Sequence, residues 1–171
     1  MRARYGMERK ETTRFLSELL VQRKLAGKYY ASEVTLDCGS GKGKEKRVDF
    51  VQFIPKNQSV SGIEKGEFVC YEVKSCKADY HSGNGLNFEG ERNYIVTTME
   101  TYKQIIHEKP WEVGVYVACP ESRELVDEFE NPTPLDDITV WWTLKIAMEA
   151  HPKDRQRSMS QLLFYMLRSG K

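Results

Sequence analysis

No apolar run in this chain approaches the roughly 18 residues that a membrane span needs. Its start, Met1-Arg2-Ala3-Arg4-Tyr5, leads into polar sequence and not into the apolar stretch of a signal peptide. These absences predict a soluble, cytoplasmic protein with no membrane partner. Cysteine is sparse: Cys38, Cys70, Cys76 and Cys119 are too few for a disulfide scaffold of this length. The spacing of Cys70, Cys76 and His81 lacks the paired short intervals of a zinc site. Cys70 and Cys119 lie within apolar runs, which predicts free buried thiols. His81, His107 and His151 are too scattered to activate a cysteine nucleophile at Cys76. Internal repeats and low-complexity segments are missing. So is a large net charge, since 26 Lys+Arg stand against 25 Asp+Glu, which excludes an indiscriminate nucleic-acid coat protein.

What the chain does have is enough apolar and aromatic content for one core. Its 171 residues predict a single domain, 1–171, because a compact domain usually holds about 100–200 residues. The near-neutral charge is a cancellation between unlike halves. Residues 1–80 carry 16 Lys+Arg and 11 Asp+Glu, net +5, while residues 81–171 carry 10 and 14, net −4.

Phe15, Leu16, Leu19 and Leu20 recur at helical spacing, which predicts an opening helix over 7–25 closed by Gly27. Three β-type segments follow, at 29–37, 47–54 and 67–75, with short links that suit antiparallel pairing. Residues 93–98, 99–109 and 113–118 read as strand, helix and strand, with the two strands parallel and adjacent. The acidic stretch 121–137, seven carboxylates and one Arg, is expected to be a solvated loop, and 139–150 a helix carrying Trp141 and Trp142. A last helix spans 158–168, with Ser158 and Gln161 spaced as a capping box. The order is αβββαβ followed by helices: a mixed sheet flanked by helices, in the α/β to α+β range.

Charged residues stand in the second and third strands where a core strand should be apolar. Asp49 is enclosed in Arg47-Val48-Asp49-Phe50-Val51, and Glu72 and Lys74 end Phe68-Val69-Cys70-Tyr71-Glu72-Val73-Lys74. Side chains alternate along a strand, so Glu72 and Lys74 share a face, and pairing of the two strands brings Asp49 beside Glu72. Two carboxylates on one surface need compensation, and a hard divalent cation such as Mg²⁺ supplies it. Asp49, Glu72 and the Val73 carbonyl are the candidate metal ligands, with Lys74 placed to neutralise charge developing on a phosphate. The competing reading is an ordinary ion-pair cluster on the solvated face of an antiparallel sheet.

At these residues the chain resembles the PD-(D/E)XK nuclease superfamily, whose D…E-x-K motif is matched by Val48-Asp49-Phe50 and Glu72-Val73-Lys74-Ser75. More narrowly, Glu33-Val34-x-Leu36, Arg47-Val48-Asp49, Tyr71 to Ser75 with Ala78-Asp79-Tyr80, and Arg157-Ser158 with Leu162-Leu163 are similar to a bacterial and phage group that includes MmcB-like DNA-repair nucleases. The resemblance implies a restriction-endonuclease-like αβββαβ core and Mg²⁺-dependent hydrolysis of DNA, with Mn²⁺ as a substitute, in repair, recombination or phage DNA processing. It further implies metal binding by Asp49 and Glu72, and assistance to the attacking water by Lys74. An accessory glutamate is common in the superfamily; Glu33 is favoured and Glu18 is the alternative. Val48 replaces the proline that usually precedes the aspartate. A homodimer would suit two-strand cleavage. The alternative function is a non-catalytic nucleic-acid-binding or phage-associated interaction module on the same fold.

Weaker signals surround this set. Gly39-Ser40-Gly41-Lys42-Gly43-Lys44 is one residue short of a phosphate loop, Glu45 replaces the Ser/Thr, and a strand follows, so it is rejected as a nucleotide site. Lys42, Lys44, Lys46 and Arg47 remain as a basic turn, and with Lys77, Arg155 and Arg157 they are the candidate phosphate contacts. Asp79 is expected to cap a helix or to orient Lys74. The loop 81–92 carries Gly83, Gly85 and Gly90, and could close over a substrate. One of the two tryptophans is expected to pack on the sheet.

Overall fold

The computed structural model describes residues 7–39, 41, 43, 45–83 and 86–169. Its centre is a six-stranded mixed sheet in the order β1-β2-β3-β4-β5-β6, which are Tyr29–Leu36, Lys46–Ile54, Glu67–Lys74, Arg92–Thr98, Gly114–Pro120 and Trp142–Met148. β1, β2 and β3 pair antiparallel, β3–β4 and β4–β5 pair parallel, and β6 returns antiparallel to β5. The three-strand meander and the parallel strand–helix–strand unit therefore stand as expected.

The opening helix, α1 (Arg9–Leu20), ends in a π-helical turn over Val21–Leu25 and packs on one face of the sheet. Leu16, Leu19 and Leu20 join Phe50, Val69, Tyr71, Val73, Tyr94 and Val96 in the core there. The opposite face is covered in two parts. Leu162, Tyr165 and Met166 of the last helix, α6 (Met159–Ser169), pack over Val34, Val48, Val51 and Cys70. Two shorter helices, α3 (Lys77–His81) and α4 (Met99–Ile105), cover β4 and β5 through Tyr80, Ile105, Met99 and Tyr102. In α6 the Ser158 hydroxyl accepts from the Gln161 amide at 3.2 Å, but the Gln161 side chain donates to Tyr165 instead of completing the capping box.

Two expectations fail. Residues 139–150 are not a helix: β6 occupies Trp142–Met148. Trp142, Leu144 and Ile146 all meet the α1-side core, a period of two in a segment rich in β-branched and aromatic residues. Trp142 packs edge-on against Phe15, with ring centroids 5.7 Å apart, while Trp141 is exposed. The acidic stretch is not all solvated loop either, since α5 (Leu125–Glu130) lies within it. Glu128 there is buried, accepting from the Thr133 amide at 2.7 Å and hydroxyl at 2.9 Å and pairing with Arg123 at 3.1 Å. A further short helix, α2 (Val60–Glu64), interrupts the polar loop between β2 and β3. The four thiols are free, and Cys70 and Cys119 are buried. No helix among the described residues is long and apolar enough to cross a membrane.

Candidate active site where β2 and β3 part

β2 and β3 run in register from Ile54↔Glu67 to Phe50↔Tyr71, and there the ladder stops. The next step would set Asp49 against Glu72. Instead of continuing the ladder, the Asp49 carboxylate reaches across and accepts from the Val73 backbone amide at 2.8 Å. A side-chain oxygen thus satisfies a donor that the neighbouring strand leaves open. β1 is irregular at the same level: Glu33 adopts φ +53°, an uncommon conformation for a residue with a side chain. Ala31 and Val34 on β1, and Val48 and Val51 on β2, face the same core, so the strict alternation slips on both strands together.

The parting opens a cleft of about 770 Å³ at one end of the sheet. Asp49, Val73 and Lys74 line its floor, Ser32, Glu33, Lys46 and Arg47 one wall, and Arg9, Thr13 and Ser17 of α1 another. Asn87 and Gly83 border it from the loop before β4. Asn87 is fixed by donating its side-chain amide to the Arg47 carbonyl at 2.8 Å.

β3 is central and buried on both faces, which removes the reading of a solvated ion-pair cluster. Glu72 is 0% exposed and Lys74 3%. Among the described residues neither carboxylate oxygen of Glu72 makes a well-formed hydrogen bond, although Asp49 and the Asn87 backbone lie close to it. Burial, and then the neighbouring Asp49 charge, push its carboxyl from the ordinary 4.5 up to about 10, with Lys74 pulling the other way. A buried acid without partners is costly, and such groups concentrate at functional sites. Chemically, a hard divalent cation would relieve the Glu72–Asp49 pair, with the Val73 carbonyl as a further oxygen.

Lys74 is held from behind. Its carbonyl accepts from the Thr97 hydroxyl at 2.5 Å, and the next residue, Ser75, donates its amide and hydroxyl to Asp79 at 3.0 and 3.1 Å. Cys76 opens α3, its sulfur accepting from the Asp79 amide at 3.4 Å, so Asp79 serves as a helix-start anchor and stands near Lys74. Burial works against ionisation of Asp79, but Ser75, Lys74 and Arg9 outweigh it and hold the carboxyl below its ordinary value. Arg9 comes from α1, 70 residues away, at 2.6 Å.

The accessory glutamates do not join the pair. Glu33 lies at the exposed rim, ion-paired with Arg47 at 3.0 Å, and Glu18 is on an exposed side of α1 while Thr13 and Ser17 line the cleft. Among the described residues no group of three His, Cys, Asp or Glu side chains is arranged to hold a metal ion.

The candidate phosphate contacts also divide. Arg157 pairs with Asp37 at 2.6 Å and Glu89 at 2.7 Å, and Arg155 pairs with Glu91 at 2.5 Å while stacking on Phe68. Both guanidiniums are mostly buried cross-links that tie the segment before α6 to the loop before β4, so they are not surface contacts. Lys46 pairs with Glu89 at 2.8 Å and Lys77 with Glu108 at 3.0 Å, both partly exposed. His81 also pairs with Glu108. Lys42, Lys44 and Gly85 lie outside the described residues. Sequence reasoning missed Arg9 and Asn87. Asp79 had a local signal in the Cys76-to-Asp79 spacing, whereas Arg9 had none, because its partner is set by how α1 crosses the sheet.

No protein-family profile and no curated protein matches the chain. Among solved structures it is similar to a protein of unknown function from Silicibacter pomeroyi, with a TM-score of 0.54 and 16% identity over 90% of this chain and 82% of that one. At that identity the likeness speaks for the fold alone.

Proposed function

We propose that the cleft is the centre of a metal-dependent phosphodiesterase acting on DNA, of the restriction-endonuclease-like kind that the Asp49…Glu72-x-Lys74 pattern resembles. The observation that carries this reading is the Glu72 carboxyl, fully buried next to Asp49, which itself lines the open cleft and opposes the ionisation of Glu72. Folding tolerates that cost most readily where a ligand offsets it. Asp49, Glu72 and the Val73 carbonyl are the residues that would hold Mg²⁺ or Mn²⁺. When bound, the ion supplies Lewis-acid activation of water and of the scissile phosphate. Asp49 is oriented by the Val73 amide, which fixes one carboxylate oxygen and leaves the other unused by that bond. Lys74 presents its ammonium to the charge that develops on the phosphate oxygens during in-line displacement. Its backbone is fixed by Thr97 and, through Ser75, by Asp79, so little reorganisation is needed.

The test is incubation with single-stranded, duplex and branched DNA in Mg²⁺ or Mn²⁺. Cleavage is expected, and Asp49→Ala and Lys74→Ala should each abolish it. Failure to cut any of the three DNAs, or cutting that survives both substitutions, sinks the reading.

A second reading is favoured by one observation: with Glu33 and Glu18 away from the pair, Asp49 and Glu72 have no third carboxylate to complete a metal site among the described residues. This is the non-catalytic module, which holds DNA or a phage-associated partner without turnover. Calorimetric titration with Mn²⁺ separates the two. Uptake that vanishes in Glu72→Ala supports the enzyme, whereas no uptake with DNA affinity intact in Glu72→Ala supports the module.

A further inference from the structure

We propose that Arg9 is the phosphate clamp of this cleft, stored on Asp79 and released to a DNA strand when one enters. The ligand class rests on the phosphodiesterase reading; the role of Arg9 rests on its own geometry.

Arg9 lies in the first turn of α1 and heads a polar stripe, Arg9, Thr13 and Ser17, which lines the wall of the cleft away from Lys46 and Arg47. These residues are four apart and so share a helix face. The three cationic side chains in the cleft walls are not equivalent. Lys46 holds Glu89, which Arg157 also needs, and Arg47 meets Glu33 out at the rim. Arg9, 60% exposed, reaches instead a carboxylate, Asp79, that is 13% exposed, shares no second cation at hydrogen-bond distance among the described residues and is four residues from Ser75. That places a guanidinium beside the segment that fixes Lys74.

The Arg9–Asp79 bond is also exchangeable. Asp79 accepts two bonds from Ser75 through its Oδ2 atom, and Arg9 touches only Oδ1. When Arg9 leaves, Asp79 keeps both Ser75 donors and the nearby Lys74 charge. A phosphate diester offers the guanidinium two oxygens in the fork geometry it prefers, so a strand competes well with a single carboxylate oxygen.

The two partners therefore act with opposite signs, which a merely structural ion pair does not do. The experiment measures anisotropy of fluorescein-labelled DNA of about 20 nucleotides, single-stranded and duplex, across a salt series with Ca²⁺ holding turnover off. Arg9→Gln should weaken binding about tenfold and flatten the plot of log affinity against log salt by just under one. Asp79→Asn keeps an acceptor for Ser75 but loses the charge that stores Arg9, and should tighten binding about threefold. Arg9→Lys should keep the salt slope and recover part of the affinity, which decides the matter even if Asp79→Asn fails to fold. Unchanged binding by Arg9→Gln, weaker binding by folded Asp79→Asn, or no binding of either DNA by the wild type overturns the clamp. Cleavage is followed in parallel with Mg²⁺. Loss of cleavage alone, with these opposite shifts intact, removes the phosphodiesterase reading and leaves the clamp standing.

Discussion

Around Arg157 every charge has a partner, whereas neither carboxylate oxygen of Glu72 makes a well-formed hydrogen bond among the described residues. The first cluster joins Asp37 at the end of β1, Glu89 before β4, Lys46 at the start of β2 and Arg157 before α6, all within 2.6 to 2.8 Å. Its carboxyls are held below their ordinary values: the Arg157 hydrogen bonds lead at Asp37, and at Glu89 Lys46 and Arg157 outweigh burial. The second cluster buries Glu72 more deeply, and Lys74 and the Asn87 backbone do not offset burial and the Asp49 charge, so its carboxyl is raised to about 10. Charge buried with partners cross-links the fold. An acid buried without them is a place where the fold gives up stability, and the proposed cation-binding role would be a reason to keep it.

The largest effect expected from breaking this contrast is on chemistry. Glu72→Gln keeps the shape and removes the carboxylate that the proposed metal ion would need, and should lower DNA cleavage about a thousandfold, or about 4 kcal/mol of transition-state stabilisation, measured as kcat/KM. Second comes Arg157→Gln, which strands Asp37 and Glu89. It should cost about 2–3 kcal/mol in urea unfolding, somewhat under the range for fully buried pairs because the cluster is partly exposed. If Arg157→Gln proves neutral, the cluster is not the cross-link described here.

Third, Glu72→Gln should stabilise the protein by about 1–2 kcal/mol at neutral pH, the opposite sign from Arg157→Gln. The two clusters differ in pH dependence for the same reason. Between about 4.5 and 10 folded Glu72 keeps a proton that the unfolded chain has lost, so wild-type stability should fall as pH rises through that window. In Glu72→Gln that decline should disappear. Asp37 and Glu89 behave conversely. Their contribution is present above their unfolded values and lost as pH falls through the lowered folded values, so Arg157→Gln should flatten the acid limb only. Mn²⁺ should raise the wild-type melting temperature but not that of Glu72→Gln, since a ligand at 100 times its Kd adds about 2.7 kcal/mol. The smallest effect belongs to the rim. Glu33→Ala breaks an exposed pair and should change stability by less than about 0.5 kcal/mol. It should leave cleavage within about threefold of wild type; a loss as large as that of Glu72→Gln would restore Glu33 to the site.

Much of the fold could be read along the chain. The stripe Phe15, Leu16, Leu19 and Leu20 located α1, and the β-branched runs located β1 to β5. The segment of β6 reads as a helix in the sequence because Trp142, Leu144 and Ile146 alternate over too few residues to separate periods of two and 3.6. That Asp49 comes near Glu72 was legible too, because antiparallel pairing of β2 with β3 carries the two toward each other, although the ladder itself ends one step short of them. The accessory positions were not. Whether Glu33 or Glu18 turns inward depends on a φ of +53° at one and on the rotation of α1 at the other, and neither leaves a mark in composition.

By itself, then, the amino-acid order determined the strand and helix periods, the antiparallel meander and the face that Glu72 shares with Lys74. These follow from interactions among residues close in sequence. Only the tertiary structure decided that β3 is central, and hence that Glu72 is dehydrated and not solvated. It also decided that Arg155 and Arg157 are cross-links, and that Arg9 meets Asp79. Burial and long-range charge pairing depend on which surfaces the whole chain brings together, and that is settled only once the sheet and its covering helices have packed.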